Sequence, residues 1–228
     1  MEHGLEGGWK ISFKGVIFDL DGTLLDTLEG LAGATNRALE AMGFAARPVD
    51  AYRYFLGDGV RAKAFKALPE GHRDEETIDK CVAIGNAEYA KCWRDNTNLY
   101  DGISELLSEL TKRGISMSVL SNKPDELTKL NVETLLADWS FDMVCGQKDG
   151  WPHKPDPYGA LKICEQLGIK PAEFLYLGDT DTDMKTANAA GMYAVGVLWG
   201  FRDAEELLAN GAKAIIDKPQ EVISILDS

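Results

Sequence analysis

No run in the sequence approaches the roughly 18 consecutive apolar residues that a membrane-spanning helix needs, so the pattern predicts a chain without membrane spans. Cysteine is scarce. Cys81, Cys92, Cys145 and Cys164 are the only four in 228 residues, none in a C-x-x-C pair, which argues against a disulfide scaffold and predicts buried, reduced thiols in a cytoplasmic protein. The three histidines, His3, His72 and His153, show no metal-ligand spacing and are expected at the surface. Basic residues are also in deficit: 24 Lys and Arg stand against 37 Asp and Glu, a formal charge of −13. That balance excludes general nucleic-acid binding, which depends on neutralising phosphates, and it sets a problem for any anionic substrate. Residues 1–11 lack the apolar core of a secretory signal and are expected to be a loosely ordered tail.

What is present is ordinary globular composition, with 45% hydrophobic and 27% charged residues, in a length that allows one large domain or a large one with a smaller partner. Gly15–Phe18 reads as a buried strand running into Asp19. From Thr27 to about Leu68, Leu28, Leu31, Ala34, Thr35, Ala38, Leu39 and Met42 recur at helical spacing and Gly43 is placed to end a helix; a second helical stretch covers Asp74–Trp93. With no strand expected between Asp26 and Asn96, this segment is read as an all-helical insertion. From Tyr100 onward helix and strand alternate, with strands at Ile115–Leu120, Phe141–Cys145, Phe174–Leu177, Ala194–Leu198 and Ala214–Ile216. Such alternation predicts an α/β fold with a doubly wound parallel sheet. The expected organisation is an α/β core of residues 12–27 and 97–228 carrying a helical cap of residues 28–96.

Ligands of such sheets bind at the carboxyl ends of the strands. Strand one ends in Asp19-Leu20-Asp21-Gly22-Thr23, the next in Ser121-Asn122-Lys123, and the Phe174 strand in Gly178-Asp179-Thr180-Asp181-Thr182-Asp183; His153-Lys154-Pro155 precedes a further helix. Carboxylates gathered on one sheet edge repel one another unless a cation sits among them. A hard divalent ion such as Mg2+, which takes one or two carboxylates together with substrate phosphate, meets that need through Asp19 and Asp179. Lysine, a serine hydroxyl and backbone N–H groups would complete a cradle for a phosphoryl group, with an aspartate as nucleophile.

Phe18-Asp19-Leu20-Asp21-Gly22-Thr23-Leu24-Leu25 resembles the first motif of the haloacid dehalogenase superfamily in its phosphatase form, and Ser121-Asn122, Lys154 and Gly178-Asp179 with Asp183 are similar to its second, third and fourth motifs, in order. The helical segment resembles the cap of the branch that includes phosphoglycolate phosphatases and β-phosphoglucomutases. Within it, Leu56-Gly57-Asp58-Gly59-Val60 is similar to a glycine-rich substrate loop, and Trp199-Gly200-Phe201 to a further segment of that branch. The resemblance implies Asp19 as nucleophile and metal ligand. It implies Asp21 as general acid and base, with its backbone carbonyl on the metal. Ser121 and Asn122 would hold the phosphoryl group, Lys154 would balance its charge, and Asp179 and Asp183 would complete a Mg2+ site. Thr23, Gly57 and Gly59 would fix the loops about the substrate. The implied partner is a small phosphorylated metabolite, phosphoglycolate above others, with no nucleic acid or membrane and with oligomeric state open.

Simpler roles compete at single positions. Asp26, Asp179, Asp181 and Asp183 all stand where aspartates cap helices, Ser121 precedes a helix, and Lys154 before proline can be a surface turn. Arg61 and Lys63 can meet a substrate carboxylate or simply face solvent. Two other activities fit the motifs: a β-phosphoglucomutase-like phosphotransferase and, from a different class, a receiver-like phosphate-binding signalling protein.

Overall fold

The computed structural model describes residues 12–228; the expected tail and His3 lie outside the described residues. Strand β1 (Gly15–Phe18) is buried along its whole length, as a run without polar alternation requires when both faces of a sheet are covered. It lies near the middle of a six-stranded parallel sheet with β4 (Ser116–Pro124) and β5 (Met143–Gln147) on one side and β6 (Phe174–Gly178), β7 (Tyr193–Val197) and β8 (Ala214–Ile216) on the other. Alternate side chains divide the core in two. Val16, Phe18, Leu175 and Leu177 pack with Leu106 and Leu110 of α4 (Ile103–Arg113) and Val132 of α5 (Asp125–Leu135). Ile17, Phe174 and Tyr176 point the other way, to Ile163 of α6 (Tyr158–Leu167), Met184 and Ala187 of α7 (Asp181–Ala190), and Leu207 of α8 (Ala204–Ala209). Helices therefore cover both faces, and the doubly wound sheet expected from the alternation is the fold observed.

Between β1 and β4 the chain makes a helical excursion: α1 (Leu28–Ala41), a 3-10 turn at Val49–Tyr54, α2 (Val60–Ala67) and α3 (Glu75–Cys92). These helices close over their own cluster, including Leu31, Leu39, Tyr52, Leu68 and Ile78, to which the core adds Phe201. The helical pattern from Thr27 to Leu68 is broken in three, because Gly43 takes the left-handed conformation that ends α1, as expected, and Gly57 and Gly59 turn the chain before α2.

Three features depart from the sequence reading. Two-residue strands β2 (Leu25–Asp26) and β3 (Asn98–Leu99) pair antiparallel at the base of the excursion, too short to give a period-two signal. Strand β4 runs past Leu120 to Pro124 with an irregular register, so that Ser121, Asn122 and Lys123 belong to the strand itself. A last helix, α9 (Glu221–Leu226), packs Val222 onto the core.

Candidate active site

The strand order places a topological switch point between β1 and β6: the chain leaves β1 toward one edge of the sheet and β6 toward the other. Phe18 is in register with both Leu177 and Val119, so Asp19, Asp179 and Ser121 emerge side by side at the carboxyl ends. Asp19, Asp179 and Asp183 are all buried, and each offers an oxygen within 4.8 Å of the others. Lys154 reaches this group from the loop before α6, with its Nζ 3.0 Å from Asp19 Oδ1 and 2.7 Å from Asp183 Oδ1.

Each carboxylate is fixed by its surroundings. Thr23 Oγ1 donates to Asp179 Oδ1 at 3.0 Å and the Phe201 N–H to Oδ2 at 2.9 Å. Asp183 Oδ2 accepts from the Thr180 N–H and hydroxyl at 3.1 and 2.7 Å, which ties it to the first turn of α7 and leaves Oδ1 for Lys154. Its capping role and its place in the cluster are thus compatible. A methyl group built on Gly200 would stand 2.3 Å from Asp179 Cβ and 2.4 Å from the Gly22 carbonyl oxygen, so no larger residue permits this approach of the two loops.

Among the described residues Lys154 is the one ammonium in ion-pair range of this cluster, and it pairs with Asp19 and Asp183 but not with Asp179. Burial, offset in part by Lys154 and reinforced by the Asp183 charge, pushes Asp19 up to about 7, and burial with the Asp183 and Asp19 charges raises Asp179 well above the usual carboxylate range. Lys154 goes the other way: burial disfavours its charge, but Asp183 and Asp19 outweigh that and raise it well above the usual range. Asp19 Oδ1 is buried and has no directed hydrogen bond, although it lies in ion-pair range of Lys154. An excess of oxygen donors, one of them without a hydrogen bond, fits a hard divalent cation.

Beside this cluster a small cavity of about 50 Å³ lies between Asp19, Asp21, Ser121, Asn122 and Lys123 of the core and Leu31, Leu56, Gly57, Gly59, Val60 and Lys63 of the helical segment. The Asp21 side chain stands apart from the triad and pairs with Lys123, Oδ1 to Nζ 2.8 Å; the same Nζ donates to the Tyr89 hydroxyl of α3 at 2.9 Å. The helical segment sits closed on the core. Asn122 Nδ2 donates to the Gly57 carbonyl at 3.0 Å, Thr182 Oγ1 to Asp58 Oδ1 at 2.7 Å, and Arg53 to the Gly200 carbonyl at 2.7 Å.

The structure brings Asp19, Asp21, Ser121, Asn122, Gly57 and Gly59 to the cavity wall and Lys154, Asp179 and Asp183 to the adjoining cluster. Thr23 is a correction. It was expected among the substrate-binding residues, but its side chain is fully buried and spent on Asp179, where it orients a carboxylate. Asp26 Oδ1 accepts the Leu28 N–H and Asp181 pairs with Lys185, the structural roles open to them from the start. The Trp199 indole donates to the Thr23 carbonyl and braces the first loop. Arg61 is held on the surface by Asp79 and Glu75. Two site residues were missed: Lys123, whose only sequence signal was its place after Ser121-Asn122, and Tyr89, which carried none.

Fold and site together define a class: doubly wound α/β proteins with a buried carboxylate cluster able to hold a metal at the sheet switch point and a helical segment packed over it. The chain belongs to the haloacid dehalogenase-like hydrolases, whose family model matches residues 16–197, and within them to the branch resembling phosphoglycolate phosphatases. It is 30% identical to the phosphoglycolate phosphatase of Pseudomonas putida over 206 residues, covering 89% of this chain and 75% of that protein. Identity to the Aquifex aeolicus phosphoglycolate phosphatase is also 30%, covering 93% of this chain and 96% of the other. Among solved structures, a Lactobacillus delbrueckii protein provisionally assigned as a phosphoglycolate phosphatase superposes with a TM-score of 0.88 at 28% identity, covering 95% of this chain and 99% of that one. No helix among the described residues is long and apolar enough to cross a membrane.

Proposed function

We propose that this chain is a Mg2+-dependent phosphatase of small phosphomonoesters, with phosphoglycolate the best single substrate, working through an aspartyl-phosphate. The observation that carries the reading is the meeting of the Asp19, Asp179 and Asp183 carboxylates with Lys154 at the edge of a small cavity. Asp19, Asp179 and Asp183, with the Asp21 backbone carbonyl, would hold the ion. When bound, Mg2+ neutralises phosphoryl oxygens and keeps Asp19 ionised.

The Asp19 carboxylate attacks phosphorus, and the bond to the leaving oxygen breaks as Asp21 delivers a proton to it. Asp21, now a carboxylate, takes a proton from a water that attacks the phosphoryl group and releases phosphate from Asp19. Two carboxyls are required because the ionised nucleophile cannot also protonate the leaving alcohol. Lys123, with its Nζ 2.8 Å from Asp21 Oδ1, holds the Asp21 carboxyl in place beside the cavity. Ser121 and the Asn122 N–H cradle the phosphoryl oxygens, and Lys154 offsets their charge. The helical segment acts as a cap that excludes bulk water.

A panel of phosphorylated metabolites assayed with and without Mg2+ tests the reading. Turnover of small phosphomonoesters only with the ion supports it; sugar-phosphate isomerisation points to the phosphotransferase, and long-lived phosphorylation without release to a signalling protein.

The ion should also register in stability. Asp19 changes from 3.8 to about 7 on folding, so the metal-free folded state holds an extra proton between these values and loses stability as pH rises through that window. Mg2+ needs the ionised carboxylates. At 100 times its Kd it should add about 2.7 kcal/mol, or roughly 5–10 °C in Tm, above about pH 7.5, and much less near pH 5, where protons compete. Differential scanning calorimetry with and without Mg2+ at the two pH values checks this, and an equal shift at both would count against the site.

A further inference from the structure

One charged group is left over by this reading. Lys63, on α2 of the cap, is only 8% exposed, and it has neither a carboxylate in ion-pair range nor a hydrogen-bond acceptor among the described residues. The other buried basic residues are all paired: Lys154 with Asp19 and Asp183, Lys123 with Asp21 and Tyr89, and Arg202 with Glu206 and the Leu56 carbonyl. An ammonium with so little access to water and no counter-charge beside it is costly to hold. Burial, together with the charge of Lys123, lowers Lys63 to about 8, with Asp21 acting in the opposite sense. Its neighbour within the cap, the Cys81 thiol, is pushed up by burial and so offers no counter-charge.

The side chain is not sealed away from the chemistry. Lys63 lines the same small cavity as Asp21, Ser121, Asn122 and Lys123. Outside the metal cluster, two ammonium groups thus face that space against one carboxylate, which is already committed to Lys123. A phosphoryl group is met by Lys154 and the metal cluster, so the surplus positive charge on the cap side calls for a second anionic group on the ligand. A carboxylate is the smallest such group a short leaving alcohol can carry.

Resting on the phosphatase reading, we propose that Lys63 is a specificity-determining residue that binds a carboxylate on the leaving-group half of the substrate, so that esters of short hydroxy acids are preferred over esters of uncharged alcohols. Arg61, two positions earlier on the same helix, has no part in this, since it is committed to Asp79 and Glu75 at the surface.

Two substrates that differ only at the distal group, phosphoglycolate and 2-hydroxyethyl phosphate, test the proposal in the full-length protein with Mg2+. The wild type is expected to favour phosphoglycolate in kcat/KM, and Lys63→Met to reduce that preference by roughly 10–100-fold, the worth of a hydrogen-bonded charge contact. The loss should appear in KM for phosphoglycolate rather than in kcat, and Lys63→Arg should restore part of it. Metal-free Lys63→Met should melt no lower than the wild type, because it removes an unpaired buried charge. A preference left intact by Lys63→Met, or absent in the wild type while both esters are hydrolysed, overturns the assignment and leaves the phosphatase reading standing. Failure of the wild type to hydrolyse any phosphomonoester overturns that reading and this proposal with it.

Discussion

Asp19→Asn is expected to lower kcat by about 10⁴–10⁶-fold, the scale seen when a covalent nucleophile is removed, without loss of stability in the metal-free protein. The two outcomes have one cause. In the folded chain the Asp19 carboxylate is held near 7 because burial and the neighbouring aspartates oppose its charge, so at neutral pH the site is strained by the very group that reacts. An amide keeps the shape and removes the charge, while Lys154 retains Asp183 at 2.7 Å. Metal-free Asp19→Asn should therefore melt at or above the wild-type temperature near pH 8, and should gain less from Mg2+. Steady-state phosphate release and calorimetry on the same preparation check both parts. Turnover within a few-fold of wild type would remove Asp19 from the role of nucleophile.

Lys154→Met should behave in the opposite way, losing stability and activity together. The lysine is the one ammonium within ion-pair range of Asp19 and Asp183 among the described residues, and its side chain is almost wholly buried. Breaking a buried ion pair by deleting one partner costs about 3–5 kcal/mol, which for a chain of this size corresponds to a fall of roughly 6–20 °C in Tm. Activity should fall about 10²–10³-fold or more, since the phosphoryl group loses a preorganised positive charge. Mg2+ should recover part of the melting temperature, because it relieves the same repulsion, but not the activity. Lys154→Arg is not a safe control, since a planar guanidinium does not replace a compact ammonium that must reach two carboxylates and the Leu120 carbonyl at once. An unchanged melting temperature in metal-free Lys154→Met would show that the carboxylates do not depend on it.

Much of the chain was legible before folding. The strand–helix alternation gave the parallel sheet because a strand covered on both faces must be apolar throughout, and Gly15–Phe18 and Phe174–Leu177 are. The aspartates and Ser121 were legible because a parallel sheet delivers whatever follows each strand to one edge. Lys123 was missed, and Thr23 placed about the substrate, for the same reason in reverse. At a strand end the sequence does not say which way a side chain turns, and the irregular stretch of β4 aims Lys123 at Asp21, while the first loop folds Thr23 back onto Asp179.

The negative charge of the chain, −13 in all, raised the question of how an anion could bind. Sequence alone determined the fold class, the family motifs and the identity of the residues along one sheet edge, because these follow from local periodicity and from chain order. Only the tertiary structure decided that Asp19, Asp179 and Asp183 fall within 4.8 Å of one another, that Thr23 serves Asp179, and that Lys63 is buried without a partner among the described residues while Arg61 is paired at the surface. Those facts depend on which groups share a low-dielectric space, and that is set by packing between residues far apart in the chain, such as Asp19 and Asp183.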